Sequence, residues 1–448
     1  AISDYCVSFA KERGLWVYQD ALNNVIIKKP ASAGYEASPA VILQGHLDMV
    51  AEKTPESPID FTKDALELRI EGDYVSANGT TLGGDDGIAV AMALAVLDSD
   101  VIAHPALEVV FTVDEEIGME GAQGLDFTQL SARRMLNVDS EDEGIFTVSC
   151  AGGARADCCL PIRRQRFGAP VQEIAVTGLV GGHSGAEIDK GRANSSMLLG
   201  RVLCALEQKT PLRVISVSGG LKDNAIPTAS VALVAADAGA VQAVCAEMDA
   251  AFKKEYRVND PAITVSARPA ESSLLPMDEA SSRSAVCLLA CLPNGIQAMS
   301  ADMPGLVQTS LNLGILTTGD DAVHASFSVR SSVATQKQML IDRLRCLTES
   351  LGGSVSTHGE YPGWEFMPQS PLRDLMVQVF TDQYGYAPKV EAIHAGLECG
   401  LFSAKLPGLD CVSFGPDLKE IHTFRESLSV SSVQRVYAMV VETLKRMH

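Results

Sequence analysis

The most constraining feature of this 448-residue sequence is where its apolar runs stop. Ala40 to Leu43 runs into Gln44-Gly45-His46-Leu47-Asp48, and Leu107 to Val113 into Asp114-Glu115-Glu116. Met135 to Val138 runs into Asp139, and Cys411 to Phe414 into Gly415-Pro416. Short, continuous apolar runs bounded by turn residues suit strands buried on both faces. With the longer helical stretch Ile88 to Leu97 among them, they predict an α/β sheet over roughly residues 16–150, completed by the C-terminal segment. In such sheets the ligand crevice lies beyond the carboxyl ends of the strands. Three of the four runs end directly on acids or histidine, so reactive groups are expected along one rim.

Between about Gly153 and Gly363 the texture changes to alternating strands such as Glu173 to Thr177 and Ala325 to Val329, interspersed with helices such as Ser195 to Leu206. This predicts an inserted α+β domain, with exits at Ala151-Gly152-Gly153 and Tyr361-Pro362-Gly363. Leu372 to Tyr384 and Ser429 to Met447 read as helices of the first domain. The expected division is therefore 1–153 with 363–448, and 154–362.

Acidic residues outnumber basic ones by 56 to 36, and a net charge of −20 repels phosphate backbones and anionic lipid. No nucleic-acid or membrane partner is expected, and the longest apolar runs fall short of the ~20 residues a bilayer span needs. Eleven scattered cysteines without repeated spacing read as free thiols in a reducing, cytoplasmic setting. Ile2, Cys6 and Phe9 already sit at helical spacing, so some natural N-terminus is expected to be missing.

His46 and Asp48 stand two residues apart after a buried run and point to one side of an extended turn, where one can bind metal and the other orient it. Asp85 and Asp86 open the helix ahead of Ile88, where the macrodipole favours negative charge; taken alone, an N-cap explains them equally well. Glu115, Glu116 and Asp139 follow buried strands, and His422 is expected just before a helix. Any one of these has an ordinary explanation as a turn, a solvated face or a cap. Their recurrence at the ends of a single sheet is what points to a metal centre. Two divalent ions would carry +4, and Asp85, Glu116, Asp139 and one hydroxide would supply −4, leaving the cluster neutral. Nitrogen and oxygen donors without sulfur suit zinc, with cobalt or manganese as substitutes.

Seven segments carry a resemblance. They are Gln44 to Val50, Leu82 to Ala89, Asp114 to Gly118, Asn137 to Glu141, Gly181 to Gly185, His394 to Gly400, and Ile421-His422-Thr423. The chain resembles the zinc exopeptidases related to carboxypeptidase G2, and within them the bacterial aminoacyl-histidine dipeptidases. That resemblance implies a catalytic domain with a mixed central sheet flanked by helices, plus an inserted α+β lid. It implies His46 and Asp139 on one zinc, Glu116 and His422 on the other, and Asp85 bridging. Asp48 would orient His46, and Glu115 would be the general base toward the zinc-activated water. Gly87 stands where relatives often have lysine. Aspartate at 139 favours small-peptide cleavage, since carboxypeptidase and deacylase relatives tend to have glutamate there.

In the lid, the resemblance implies that His183 stabilises the oxyanion and that Asn224 contacts substrate. Arg330 can clamp a C-terminal carboxylate as a two-pronged donor. His394 and Glu398 lie in a glycine-bearing loop, where Glu398 can meet a free amine, although a solvent-facing loop acid is the simpler expectation. The implied activity is hydrolysis of Xaa-His dipeptides such as β-alanyl-histidine, with a small peptide as the partner and room for a homodimer through the lid. An N-deacylase or carboxypeptidase of the same superfamily, or a non-catalytic zinc-binding scaffold, are the alternatives.

Overall fold

The computed structural model describes all residues from Ala1 to His448 and divides into two compact units. The first comprises Ala1–Cys150, Trp364–Ala392 and Leu397–His448; the second comprises Ala151–Gly363 and Ile393–Gly396. Residues 151–153 and Gly363 thus fall in the inserted unit, as do the four residues 393–396, which carry His394. The short segment 393–396 has no compositional mark distinguishing it from its neighbours, so the expected boundaries missed it.

The first unit is built on an eight-stranded sheet. Its strand order is Trp16–Gln19, Val25–Lys29, Leu107–Thr112, Val41–His46, Arg134–Asn137, Asp410–Ser413, Ile145–Cys150, Lys389–Ile393. Val41–His46 runs parallel to Leu107–Thr112 and to Arg134–Asn137, which is parallel to Asp410–Ser413. Every residue of Leu107–Thr112, Val41–His46 and Asp410–Ser413 is buried, which explains their unbroken apolar character. The antiparallel pairing of Trp16–Gln19 with Val25–Lys29, and of the latter with Leu107–Thr112, makes the sheet mixed. Four parallel strands in the centre bring their carboxyl ends to one rim.

The helix Gly84–Asp98 buries Ala89, Val90, Met92, Ala93, Val96 and Leu97 and leaves the stripe Gly87, Ala91, Ala95 and Asp98 exposed, small residues rather than charges forming most of its outer face. Gly45 lets it approach the sheet, because a Cβ there would lie 2.5 Å from both Ala89 Cβ and Asp86 Oδ2. The helices Pro371–Tyr384 and Val430–Arg446 complete the core, where Phe146 packs edge-on against Phe380 and Phe414.

The second unit carries an antiparallel sheet in the order Thr264–Pro269, Val171–Thr177, Ser230–Ala235, Arg213–Gly219, Val307–Thr318, Ala322–Ser331, Gly152–Pro161, Ser354–Tyr361, with Gly295–Met299 beside Val307–Thr318. Val171–Thr177 alternates strictly between buried and half-buried positions, giving one core face and one wetter face. The helices Ser195–Glu207, Ala238–Glu255, Glu279–Cys291 and Ala334–Ser350 contribute to its main core, which includes Phe252 and Phe327. No helix of the chain is long and apolar enough to cross a membrane.

Candidate active site

The rim of the first unit's sheet gathers the residues that the sequence placed at strand ends. His46 closes Val41–His46 and is almost completely buried. Its Nδ1 faces the Asp48 backbone carbonyl at 3.0 Å and Asp48 Oδ1 at 3.4 Å. Both are acceptors, so the ring proton belongs on Nδ1 and the Nε2 lone pair points outward. That Nε2 lies 3.1 Å from Asp85 Oδ1 and 3.7 Å from Asp139 Oδ1. On the other side, His422 Nε2 lies 3.2 Å from Asp85 Oδ2 and 3.0 Å from Glu116 Oε1. Asp85 therefore presents one oxygen to each imidazole, with Asp139 beside His46 and Glu116 beside His422. Asp48 also accepts the Glu116 N–H through Oδ2 at 3.1 Å, linking the two turns.

The protonation tendencies show what this cluster wants. Burial works against a charged His46, but Asp48, Asp85 and Asp139 overrule it and raise its proton affinity well above the ordinary value. Hydrogen bonds to Asp85 and Glu116 push His422 up to about 10. Burial opposes ionisation of Asp85, yet the two imidazoles outweigh it and hold its carboxyl below the usual range. Asp139 is pushed up by burial and by Asp85, and Asp86 by burial and by Asp139. Burial also lifts Glu115 to about 7, with Glu398 and Glu116 adding repulsion. Such a site, acidic beyond what two imidazoles neutralise, calls for cations.

The donor set fits metal. His46, Asp85 and Glu116 offer atoms lying within 4.8 Å of one another, as do His46, Asp86 and Asp139. The nitrogen–oxygen separations are 3.1 Å for His46 to Asp85, 3.2 Å for His422 to Asp85 and 3.0 Å for His422 to Glu116, so neighbouring donors are near enough to share a cation. Nitrogen and carboxylate donors without thiolate suit zinc and also cobalt or manganese.

Two expectations are corrected. His422 does not lead into a helix; it sits in a turn at φ +60°, half exposed, ahead of the short strand Ser427–Ser429. Glu398 is not a solvent-facing loop acid but the first residue of the helix Glu398–Lys405, with no exposure at all. Its Oε2 accepts from Gln44 Nε2 at 2.5 Å and Thr112 Oγ1 at 2.7 Å, while Oε1 has no partner. Burial raises its carboxyl to about 7. The reason is tertiary: Gln44 and Thr112 lie on neighbouring central strands and reach an acid that sequence proximity cannot connect to them.

Within the second unit, Gly182–His183 pairs with Ala225–Ile226, placing His183 opposite Ala225 and next to the Asn224 turn. The Asn224 carbonyl accepts the Ser184 N–H at 2.8 Å. His183 Nδ1 accepts from the Gly185 and Ala186 N–H groups at 3.2 and 3.0 Å, which leaves the ring proton on Nε2 as a free donor. Burial and the nearby Arg330 charge lower its proton affinity, keeping the ring neutral. Arg330 is buried, donates to the Tyr361 hydroxyl at 3.2 Å and keeps an unpartnered Nε. His394 Nε2 faces Ser310 Oγ at 2.7 Å. A Cβ on Gly185 would lie within 3.1 Å of His183, Arg330 and the His394 carbonyl, so these groups converge on one spot.

Sequence reasoning missed Glu426, whose buried carboxylate accepts backbone N–H groups from residues 82–85, and Asn137, which donates to Gln44 Oε1 at 2.5 Å. Neither has a local signal; each is defined by partners remote in sequence.

Comparison with known proteins shows the family. The chain is 36% identical over 449 residues to the cytosol non-specific dipeptidase of Escherichia coli K12, covering 99% of this chain and 93% of that one. The aminoacylhistidine dipeptidase of Vibrio alginolyticus superposes with a TM-score of 0.94 at 36% identity, over 99% of this chain and 92% of that one. The aminopeptidase PepT of Bacillus cereus shares the fold at a TM-score of 0.54 and 16% identity, over 99% and 92% of the two chains. The model of peptidase family M20/M25/M40 matches residues 42–446. This chain, with its histidines and carboxylates drawn together at one sheet rim, belongs to that family and is a peptidase.

Proposed function

We propose that the enzyme is a dipeptidase acting on Xaa-His dipeptides, β-alanyl-histidine among them, with two zinc ions as cofactors. The observation that carries the metal reading is the position of Asp85, one carboxylate oxygen toward each of two imidazoles. His46 and Asp139 would hold one ion, His422 and Glu116 the other, and Asp85 both. When bound, such a pair polarises the scissile carbonyl and makes water a nucleophile near neutral pH. Dipeptide specificity is supported by the names of the Escherichia coli and Vibrio relatives. The same relationship supports a cytosolic location.

The remaining chemistry falls to side chains. Glu115, half-buried and next to Glu116 in the chain, is the group assigned to take a proton from the attacking water and return it to the leaving amine. Asp48 holds His46 in the tautomer that leaves Nε2 free. His183 offers a neutral Nε2–H to the developing oxyanion, a role that needs a donor fixed beforehand; the Gly185 and Ala186 amides fix it. Arg330, with its unpartnered Nε, is suited to a substrate carboxylate, with His394 and Asn224 beside that part of the unit. Glu398, fully buried between Gln44 and Thr112, is not assigned to the substrate's free amine.

The test combines metal analysis with a dipeptide panel varied at the C-terminal residue. Expected are two zinc ions per chain, loss of hydrolysis on chelation with recovery on added zinc, and preference for C-terminal histidine. Faster cleavage of N-acylated substrates than of free dipeptides would overturn the dipeptidase assignment.

A further inference from the structure

Asp85 and His422 lie more than 300 residues apart in sequence, and a single buried side chain ties their turns together. Glu426 is 2% exposed, and its carboxylate accepts four consecutive backbone N–H groups. Oε2 takes those of Leu82 at 2.7 Å and Gly83 at 3.0 Å; Oε1 takes those of Gly84 at 2.8 Å and Asp85 at 3.3 Å. These donors belong to the turn that leads into the helix: Leu82 and Gly83 precede Gly84–Asp98, and the backbone is non-helical at Asp85 and Asp86, so the four N–H groups need an acceptor from outside the helix. Glycine is needed for this approach: a Cβ on Gly84 would lie 3.3 Å from Glu426 Oε1 and 2.8 Å from Leu418 Cδ2. At its own end, the Glu426 N–H donates to the Thr423 carbonyl at 3.1 Å, and Thr423 Oγ1 donates to the Glu420 carbonyl at 2.7 Å. The turn that presents His422 is thereby closed on itself and fastened to the turn that presents Asp85.

We infer that Glu426 is a positioning residue that fixes the spacing of Asp85 and His422, and through it the affinity of the site for divalent cations. The inference rests on the ligand reading given above. Glu426 lies too deep in its N–H cradle to serve as a ligand itself, since both of its oxygens are already occupied by backbone donors. Alanine would leave four amides without an acceptor and release both turns. Glutamine keeps a carbonyl for one pair of donors but turns an NH₂ toward the other, so it restores part of the tie.

The test measures zinc affinity of metal-stripped full-length protein by competition with a chromogenic chelator, together with the visible spectrum of the cobalt-loaded protein. Asp410→Ala is the control: that buried carboxylate accepts from Ser370 Oγ and the Leu372 N–H in the same unit without touching either turn. Glu426→Ala is expected to weaken zinc binding about 10- to 100-fold and to alter the cobalt spectrum, with Glu426→Gln in between and Asp410→Ala at wild-type affinity. If the alanine variant does not fold, the glutamine variant carries the comparison. Wild-type affinity and spectrum in the Glu426 variants, or an equal loss in Asp410→Ala, would overturn the inference while leaving the ligand set standing. Wild-type protein that takes up no zinc would overturn both.

Discussion

Replacing His394 by glutamine should flatten part of the acid limb of the stability profile. The imidazole is 8% exposed, with Nε2 against Ser310 Oγ, and burial together with the Arg330 charge lowers its pKa from 6.5 to about 4. In the unfolded chain the ring titrates at its ordinary value. Between the two values the unfolded state binds a proton that the native state refuses, so stability falls as pH drops through 6.5 and the loss is complete below about 4. At 1.36 kcal/mol per unit the full penalty is about 3 kcal/mol. Urea unfolding followed by far-ultraviolet circular dichroism measures it. Relative to His394→Gln, the wild type should lose about 1.3 kcal/mol between pH ~7.5 and ~5.5, and about 2.5 kcal/mol by pH ~4.5. The variant carries a constant offset from the altered Ser310 contact, so the slopes are compared. Parallel profiles would refute the reasoning, because they would mean His394 takes up its proton equally well in both states.

Glu115→Gln should lower kcat by roughly 10²- to 10⁴-fold at unchanged zinc content, measured by dipeptide turnover and metal analysis. Arg330→Lys keeps the charge but loses the fork of donors; steady-state kinetics should show KM rising for free dipeptides and staying level for C-terminally amidated ones. Phe327→Ala removes a fully buried ring from the inserted unit's core and should destabilise the protein by about 3–5 kcal/mol in denaturant unfolding.

Much of the catalytic sheet was legible because its central strands are buried on both faces and therefore read as unbroken apolar runs. The acids and histidine that stop those runs at 46, 115–116 and 139 mark the rim directly. Legibility failed where a residue's environment is made by distant chain. Glu398 reads as a loop acid until Gln44 and Thr112 surround it, and Glu426, in Phe424-Arg425-Glu426-Ser427, reads as part of a charged surface turn until residues 82–85 bring four N–H groups to it. His394 fell outside the expected lid because four residues entering a unit from a remote segment leave no periodicity to detect.

The strand Asp410–Ser413 lies inside the first unit's sheet, between Arg134–Asn137 and Ile145–Cys150, yet it follows the whole inserted segment 151–363 in the chain. On a ribosome, the N-terminal strands therefore wait with a gap in their middle while the inserted residues emerge. The second unit has its strands in one contiguous stretch and can fold during that interval, leaving the rim of the first unit's sheet to close only after the inserted segment has been made. A nascent polypeptide of this design cannot acquire peptide-cleaving capacity before the strand Asp410–Ser413 has left the exit tunnel.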